Sequence, residues 1–331
     1  MNKQIILFCM ICAIKFSFLT AQNSSENCEP IEGKTWGVVY NSVGKIHAES
    51  NHRSEIVTEV LLGMPVIVLN RDKGWRKIKT SEGYVGWISE SIVEMTHSEL
   101  KEYNQKRKII VTSLYTHSYK ENSLKSAIIS DLVMGNILEV KGRKGNFFKV
   151  IYPDGREAYI KKNDAVYFDK WLNNIKLTEQ SIASLAQQMA GIPYVWGGTS
   201  SKGLDCSGFT KLIYFMHGVI LLRDSSQQVK TGKLVDEKGD FSKLQVGDLV
   251  FFGTKADESQ PQERVTHVGI YLGNGRFIHA SDYVKIASFY PHDPLYDAFN
   301  TNRYLRTKRI LGSINSFGIE YVRENEFYTK N

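Results

Sequence analysis

The residues whose types and spacing could do chemistry together are one cysteine and two histidines. Cys206 stands in Asp205-Cys206-Ser207-Gly208-Phe209-Thr210, His267 in Thr266-His267-Val268-Gly269-Ile270-Tyr271, and His279 in Phe277-Ile278-His279-Ala280-Ser281. A thiol, an imidazole 61 positions later (267−206) and a second imidazole are the parts of a nucleophile, its general base and the group that orients the base. They act as one only if three separate segments meet in space.

The flanking patterns say how that would happen. Thr178 reads as an N-cap, with Ile182, Leu185, Ala186 and Met189 at helical spacing until Gly191-Ile192-Pro193 ends the helix. A turn-rich loop, Tyr194-Val195-Trp196-Gly197-Gly198, leads to Cys206. Apolar residues then return at Phe209, Leu212, Ile213 and Met216. Cys206 is thus expected in the first turn of a helix, where free N–H groups and the positive dipole end favour a thiolate. Gly208 would let a backbone or substrate come close. The histidines are expected on a hairpin of Val265 to Tyr271 and Arg276 to Ala280 around Gly273-Asn274-Gly275. With a three-residue loop, Leu272 faces Arg276 and opposing positions sum to 548. Then His279 faces Gly269, and both imidazoles are diagonal neighbours on one face. A two-residue Asn-Gly loop shifts the sum to 549 and sends them to opposite faces. The remaining histidines read as ordinary core or surface residues.

Upstream, Leu62-Gly63 recurs as Met134-Gly135, Trp75 as Phe147, Gly83 as Gly155 and Gly86-Trp87-Ile88 as Ala158-Tyr159-Ile160, always 72 positions apart. Short β-rich runs between turn signals in each copy predict two small β modules, with Trp75, Trp87, Phe147 and Tyr159 expected in their cores. Residues 1–21 read as an export signal and 22–31 as a leader. The expected division continues with a first module at 32–96, a linker at 97–107, a second module at 108–168, the Cys/His domain at 169–318 and a tail at 319–331. Cys9 and Cys12 leave with the signal, so Cys28 and Cys206 remain. No metal or cofactor site is indicated, because the histidines lack ligand-like partners elsewhere. A formal charge of +7, spread without a Lys/Arg block, argues against nucleic-acid binding and fits an anionic wall polymer as partner. No membrane span is expected in the mature chain.

The motifs carry a family resemblance. Asp-Cys-Ser-Gly-Phe, Arg223-Asp224-Ser225-Ser226-Gln227-Gln228, Gly247-Asp248-Leu249-Val250-Phe251-Phe252 and His-Val-Gly-Ile-Tyr resemble the NlpC-type cysteine peptidases of bacterial cell walls. The resemblance covers about residues 178 to 312 and implies an α+β papain-like domain, here behind two all-β SH3-like barrels. The domain order and the Arg-Asp-Ser-Ser run are similar to γ-D-glutamyl-diamino-acid dipeptidyl-peptidases, which release L-Ala-γ-D-Glu from stem peptides carrying lysine or meso-diaminopimelate. By that resemblance Cys206 is the nucleophile, His267 the base, His279 the orienting group and Tyr194 an oxyanion donor. Trp196, Asp205, Ser207, Asp224 and Ser225 would line the dipeptide pocket. Glu55 and Tyr84 of the first barrel would close it over a free N-terminal ammonium. The implied protein is an exported monomer in the periplasm or outside the cell. The rival readings are an endopeptidase on intact, N-acylated wall with the barrels as anchors, a wall-binding protein without activity, and an acyltransferase or amidase on the same scaffold.

Overall fold

The structure is a computed structural model and describes residues 33–330, except 257 and 259. The expected signal and leader, with Cys9, Cys12 and Cys28, lie outside the described residues.

The repeat is a fold built twice. Strands of the first module begin at Trp36, Val43, Ile56, Pro65, Trp75, Val85 and Ile92. Those of the second begin at Lys108, Tyr115, Ile128, Ile137, Phe147, Glu157 and Ala165, so the first six keep the 72-residue offset. Both sheets are antiparallel and run in one order: third, second, sixth, fifth, fourth, first, seventh. The repeated glycines have a reason. Gly63 and Gly135 sit at φ +79° and +90°, a region L side chains avoid, and a Cβ on Gly63 would lie 2.0 Å from the Ile137 carbonyl oxygen. There the modules touch, Ile137 N–H donating to the Leu62 carbonyl at 2.8 Å.

Of the four aromatics expected inside, only Trp75 is buried; Trp87, Phe147 and Tyr159 are half-buried. The two-residue period of a strand turns their neighbours Ile88, Phe148 and Ile160 inward instead. The linker forms a helix, His97–Gln105, closed by a capping box between Thr96 and Glu99. Asn104 Nδ2 donates to the Phe327 carbonyl, and Ile319–Tyr321 pairs with Val219–Leu221, so the C-terminal segment is built into the fold.

The Cys/His domain packs two main helices, Glu179–Gln188 and Cys206–Met216, on a six-stranded antiparallel sheet. The sheet order is Lys233–Asp236, Tyr304–Arg309, Leu249–Thr254, Arg264–Gly273, Arg276–Ala280, Val284–Ser288. Nearly every residue of Cys206–Met216 is buried, because the helix lies between the sheet and the β modules. Trp36 and Leu61 of the first module, Met134 and Ile137 of the second, and Phe209 and Phe251 belong to one continuous apolar core. The modules are therefore fixed parts of the body.

Candidate active site

Cys206 opens its helix one residue after the N-cap Asp205, whose Oδ1 accepts the Gly208 N–H at 2.7 Å. Gly208 is required for space: a Cβ there would lie 2.1 Å from the Gly198 carbonyl oxygen. The expected helix-start thiolate meets stronger opposition. Burial pushes the Cys206 thiol up to about 12 and the Asp205 charge adds to this, while the Val268 and Ser207 N–H groups pull the other way and lose.

The histidine hairpin combines both anticipated registers. Gly273 pairs with Arg276 around a two-residue Asn274-Gly275 loop, both with positive φ (52° and 74°). The register then shifts at Leu272, so Tyr271 faces Phe277 and Ile270 faces Ile278, the pairing that sums to 548. The bulge restores what the short loop would have destroyed. The two imidazoles meet directly, His267 Nε2 and His279 Nδ1 lying 2.7 Å apart. Gly269 makes room, since a Cβ there would press on His279 Cβ at 3.2 Å. Phe252 and Phe277 wall the pair, and burial holds His267 down to about 3 and His279 down to about 4. His279 Nε2 is buried without a hydrogen-bond partner among the described residues.

A cavity of about 580 Å³ opens over the thiol, lined by Glu55, Tyr84, Tyr194, Trp196, Asp205, Cys206, Ser207, Asp224 and Ser225. Apart from the two histidines, it gathers every residue given a catalytic or pocket role from the sequence. Burial, followed by the Cys206 and Asp205 charges, keeps the Tyr194 phenol above its ordinary range, so it stays a donor. Burial likewise raises Tyr84 to about 12. Asp205, expected to meet the ligand, is saturated. It accepts from Gly208 N–H, Gly197 N–H, Ser207 Oγ and both terminal nitrogens of Arg223. Asp224 closes a capping box with Gln227 and is bonded by Tyr84; burial, with help from Asp205 and Glu55, raises its carboxyl despite Arg223 and Tyr84.

Sequence reading assigned no role to Arg223, Thr58, Glu59 or Gln228. Arg223 is 2% exposed and reaches Thr58 Oγ1 of the first module at 2.8 Å as well as Asp205. Glu59 accepts the Thr199 N–H at 2.9 Å, Glu55 accepts Trp196 Nε1–H at 2.6 Å, and Gly197 (φ +77°) lies against the Ile56 carbonyl. Residues 55–59 thus dock along 196–200 and form one wall of the cavity. Gln228 ties its own segment to the Ser207 and Leu222 carbonyls. The available signals were charge next to apolar runs: Arg223 after Val219-Ile220-Leu221-Leu222, and Glu59 within Val57 to Leu62.

Comparison with known proteins agrees with this architecture. The NlpC/P60 family matches residues 191–309, and the bacterial SH3 domain matches 42–94. A gamma-D-glutamyl-L-lysine dipeptidyl-peptidase of Bacillus cereus is 30% identical over 236 residues, 69% of this chain and 68% of the relative. Dipeptidyl-peptidase 6 of Lysinibacillus sphaericus is 26% identical over 276 residues, 78% of this chain and 93% of that protein. The crystal structure of a NlpC/P60 family protein from Bacillus cereus superposes with a TM-score of 0.68 at 24% identity, covering 83% of this chain and 99% of the other. The chain belongs to the NlpC/P60 family of cysteine peptidases, with SH3-like modules ahead of a papain-like domain.

Proposed function

We propose that this protein hydrolyses the γ-D-Glu–diamino acid bond of peptidoglycan stem peptides that begin with a free L-Ala, releasing L-Ala-γ-D-Glu. Cys206 is the nucleophile, His267 the base and His279 the orienting residue. With His267 Nε2–H donating to His279 Nδ1, the other ring nitrogen is left bare to take the thiol proton. Burial disfavours thiolate and imidazolium singly, so the two charges arise together by transfer of that proton. The sulfur attacks the γ-carbonyl carbon, and the oxyanion accepts from the Cys206 N–H and the Tyr194 hydroxyl. Collapse breaks the C–N bond and the leaving amine takes the proton from His267. Water, activated by the same imidazole, then hydrolyses the thioester.

One observation carries the specificity. Glu55, Tyr84 and Asp224 line the thiol's own cavity, and its buried guanidinium, Arg223, is already committed to Asp205. Asp224 and Glu55 place two carboxylates on the wall of the thiol's cavity, where the α-ammonium two residues before the scissile bond is held. Asp205 and Ser207, bonded to Arg223, act as positioning residues. Trp196 and Ser225 complete the walls. We assign the protein to the exported, wall-associated class and expect a monomer; among the described residues no helix is long and apolar enough to cross a membrane.

The test is incubation with free L-Ala-γ-D-Glu-diamino-acid tripeptide and its N-acetylated form, read by product masses. Acetylation removes the cation that the half-buried Asp224 and the exposed Glu55 would hold, so the free peptide should be cleaved about tenfold faster or more. Equal rates overturn this reading in favour of an endopeptidase on intact wall.

A further inference from the structure

A second cavity, about 790 Å³, lies on the other side of the histidine hairpin, lined by Ser281, Tyr283, Lys285, Tyr296, Phe299 and Asn300 among others. It begins beside the oxyanion residue, where Tyr194 N–H donates to the Asp282 carbonyl and Pro193 pairs with Tyr283. Three large aromatics stand open on it: Tyr283, Tyr296 and Phe299 are 49%, 36% and 67% exposed. Lys285 sits directly across the sheet from His279. Arg303 joins the two cavities. Its Nη2 donates to Thr266 Oγ1, on the wall of the thiol cavity, and its guanidinium lies 4.4 Å from the centre of the Phe299 ring, on the wall of the second.

Glu55, Asp224 and Arg264 line the thiol cavity; Arg303 and Lys285 lie near His267, and both cations disfavour its protonation. Two acids lie near the second cavity, Asp297 on its wall. Asp282 pairs with Lys285 at 3.0 Å, and Asp297 takes the Asn300 N–H and Nδ2 at 3.0 and 2.6 Å. Arg303 has only neutral partners among the described residues, a hydroxyl and a ring. We infer that the second cavity receives the leaving diamino acid and that Arg303 binds a carboxylate at the end of its side chain, so that diaminopimelate is preferred to lysine. This rests on the proposed dipeptidyl-peptidase reading. A lysine side chain would bring a bare ammonium to the Arg303 guanidinium. Diaminopimelate ends in an ammonium with a carboxylate, which the guanidinium fork can hold, while the rings cover the methylenes.

The experiment compares kcat/KM for L-Ala-γ-D-Glu-meso-diaminopimelate and L-Ala-γ-D-Glu-L-Lys, which differ only in that carboxylate. The full chain should prefer the first by about tenfold or more, the worth of one charge-assisted hydrogen bond. Arg303→Gln should bring the ratio close to one by lowering the diaminopimelate value, and Arg303→Lys should keep part of it. Equal values, a lysine preference, or a ratio unmoved by Arg303→Gln would overturn the inference while leaving the proposed function standing. Cleavage of neither free tripeptide would overturn both.

Discussion

Replacing Arg223 with methionine tests whether the first module and the catalytic turn are held by one buried cation. The guanidinium makes four polar contacts: Thr58 Oγ1 at 2.8 Å, Ser207 Oγ at 3.0 Å, and Asp205 Oδ1 and Oδ2 at 3.1 and 2.5 Å. Methionine keeps most of the volume and none of the donors. Asp205 retains its two N–H partners and Ser207 but loses the countercharge of Arg223, at 6% exposure. Removing one member of a buried ion pair costs about 3–5 kcal/mol. At roughly 2–4 °C per kcal/mol for a large domain, Tm should fall by roughly 6–20 °C in thermal unfolding. Asp205→Asn on the same background removes the stranded charge, so the double variant should be less destabilised than the two single losses added together. Arg223→Lys should fall between, because a point charge cannot match the fork. The kcat/KM for the free tripeptide should drop along with Tm, since Asp205 holds the turn that presents Cys206. A Tm within about 2 °C of wild type, or strict additivity in the double variant, would refute the argument.

Cys206→Ser should lower hydrolysis by about 10⁴-fold or more with Tm nearly unchanged, and His267→Ala should be nearly as severe; His279→Ala should lose less, because it removes the 2.7 Å orienting contact rather than the base. Residual turnover near wild type in Cys206→Ser, read by product masses, would remove the nucleophile assignment. Glu59 gives a pH-dependent test of the module contact. Burial holds its carboxyl above the ordinary value, so folding favours the protonated form; its contribution is fully present below the unfolded pKa and fades as pH rises through the folded one. Glu59→Gln keeps an acceptor for Thr199 N–H without the buried charge, so Tm measured from about pH 4 to about pH 8 should decline less in the variant. An identical decline would show that Glu59 is not the group responsible.

Short-range patterns in the sequence determined the catalytic elements. Thr178 and Asp205 cap their helices as their side chains dictate, Cys206 falls in a first turn, and Asn274-Gly275 makes the hairpin. The 72-residue repeat likewise determined two copies of one β topology, because identical turn spacing imposes identical strand order. What the tertiary structure decided depends on contacts between segments far apart in the chain. The bulge at Leu272, which no local propensity marks, puts both imidazoles on one face. Inward or outward placement of Trp87, Phe147 and Tyr159 followed strand register rather than aromatic character. The thiol's ionisation was decided by burial, a sum over neighbours from the whole core that outweighed the local helix-start amides. Asp205 and Asp224 are both acids beside catalytic motifs, and only the fold separates them: Arg223 reaches the first at hydrogen-bond distance, and the second is bonded by Tyr84 on the cavity wall it shares with Glu55. The sequence names the chemical groups; which of them remain unsatisfied, and so available to a substrate, is a property of the packed structure.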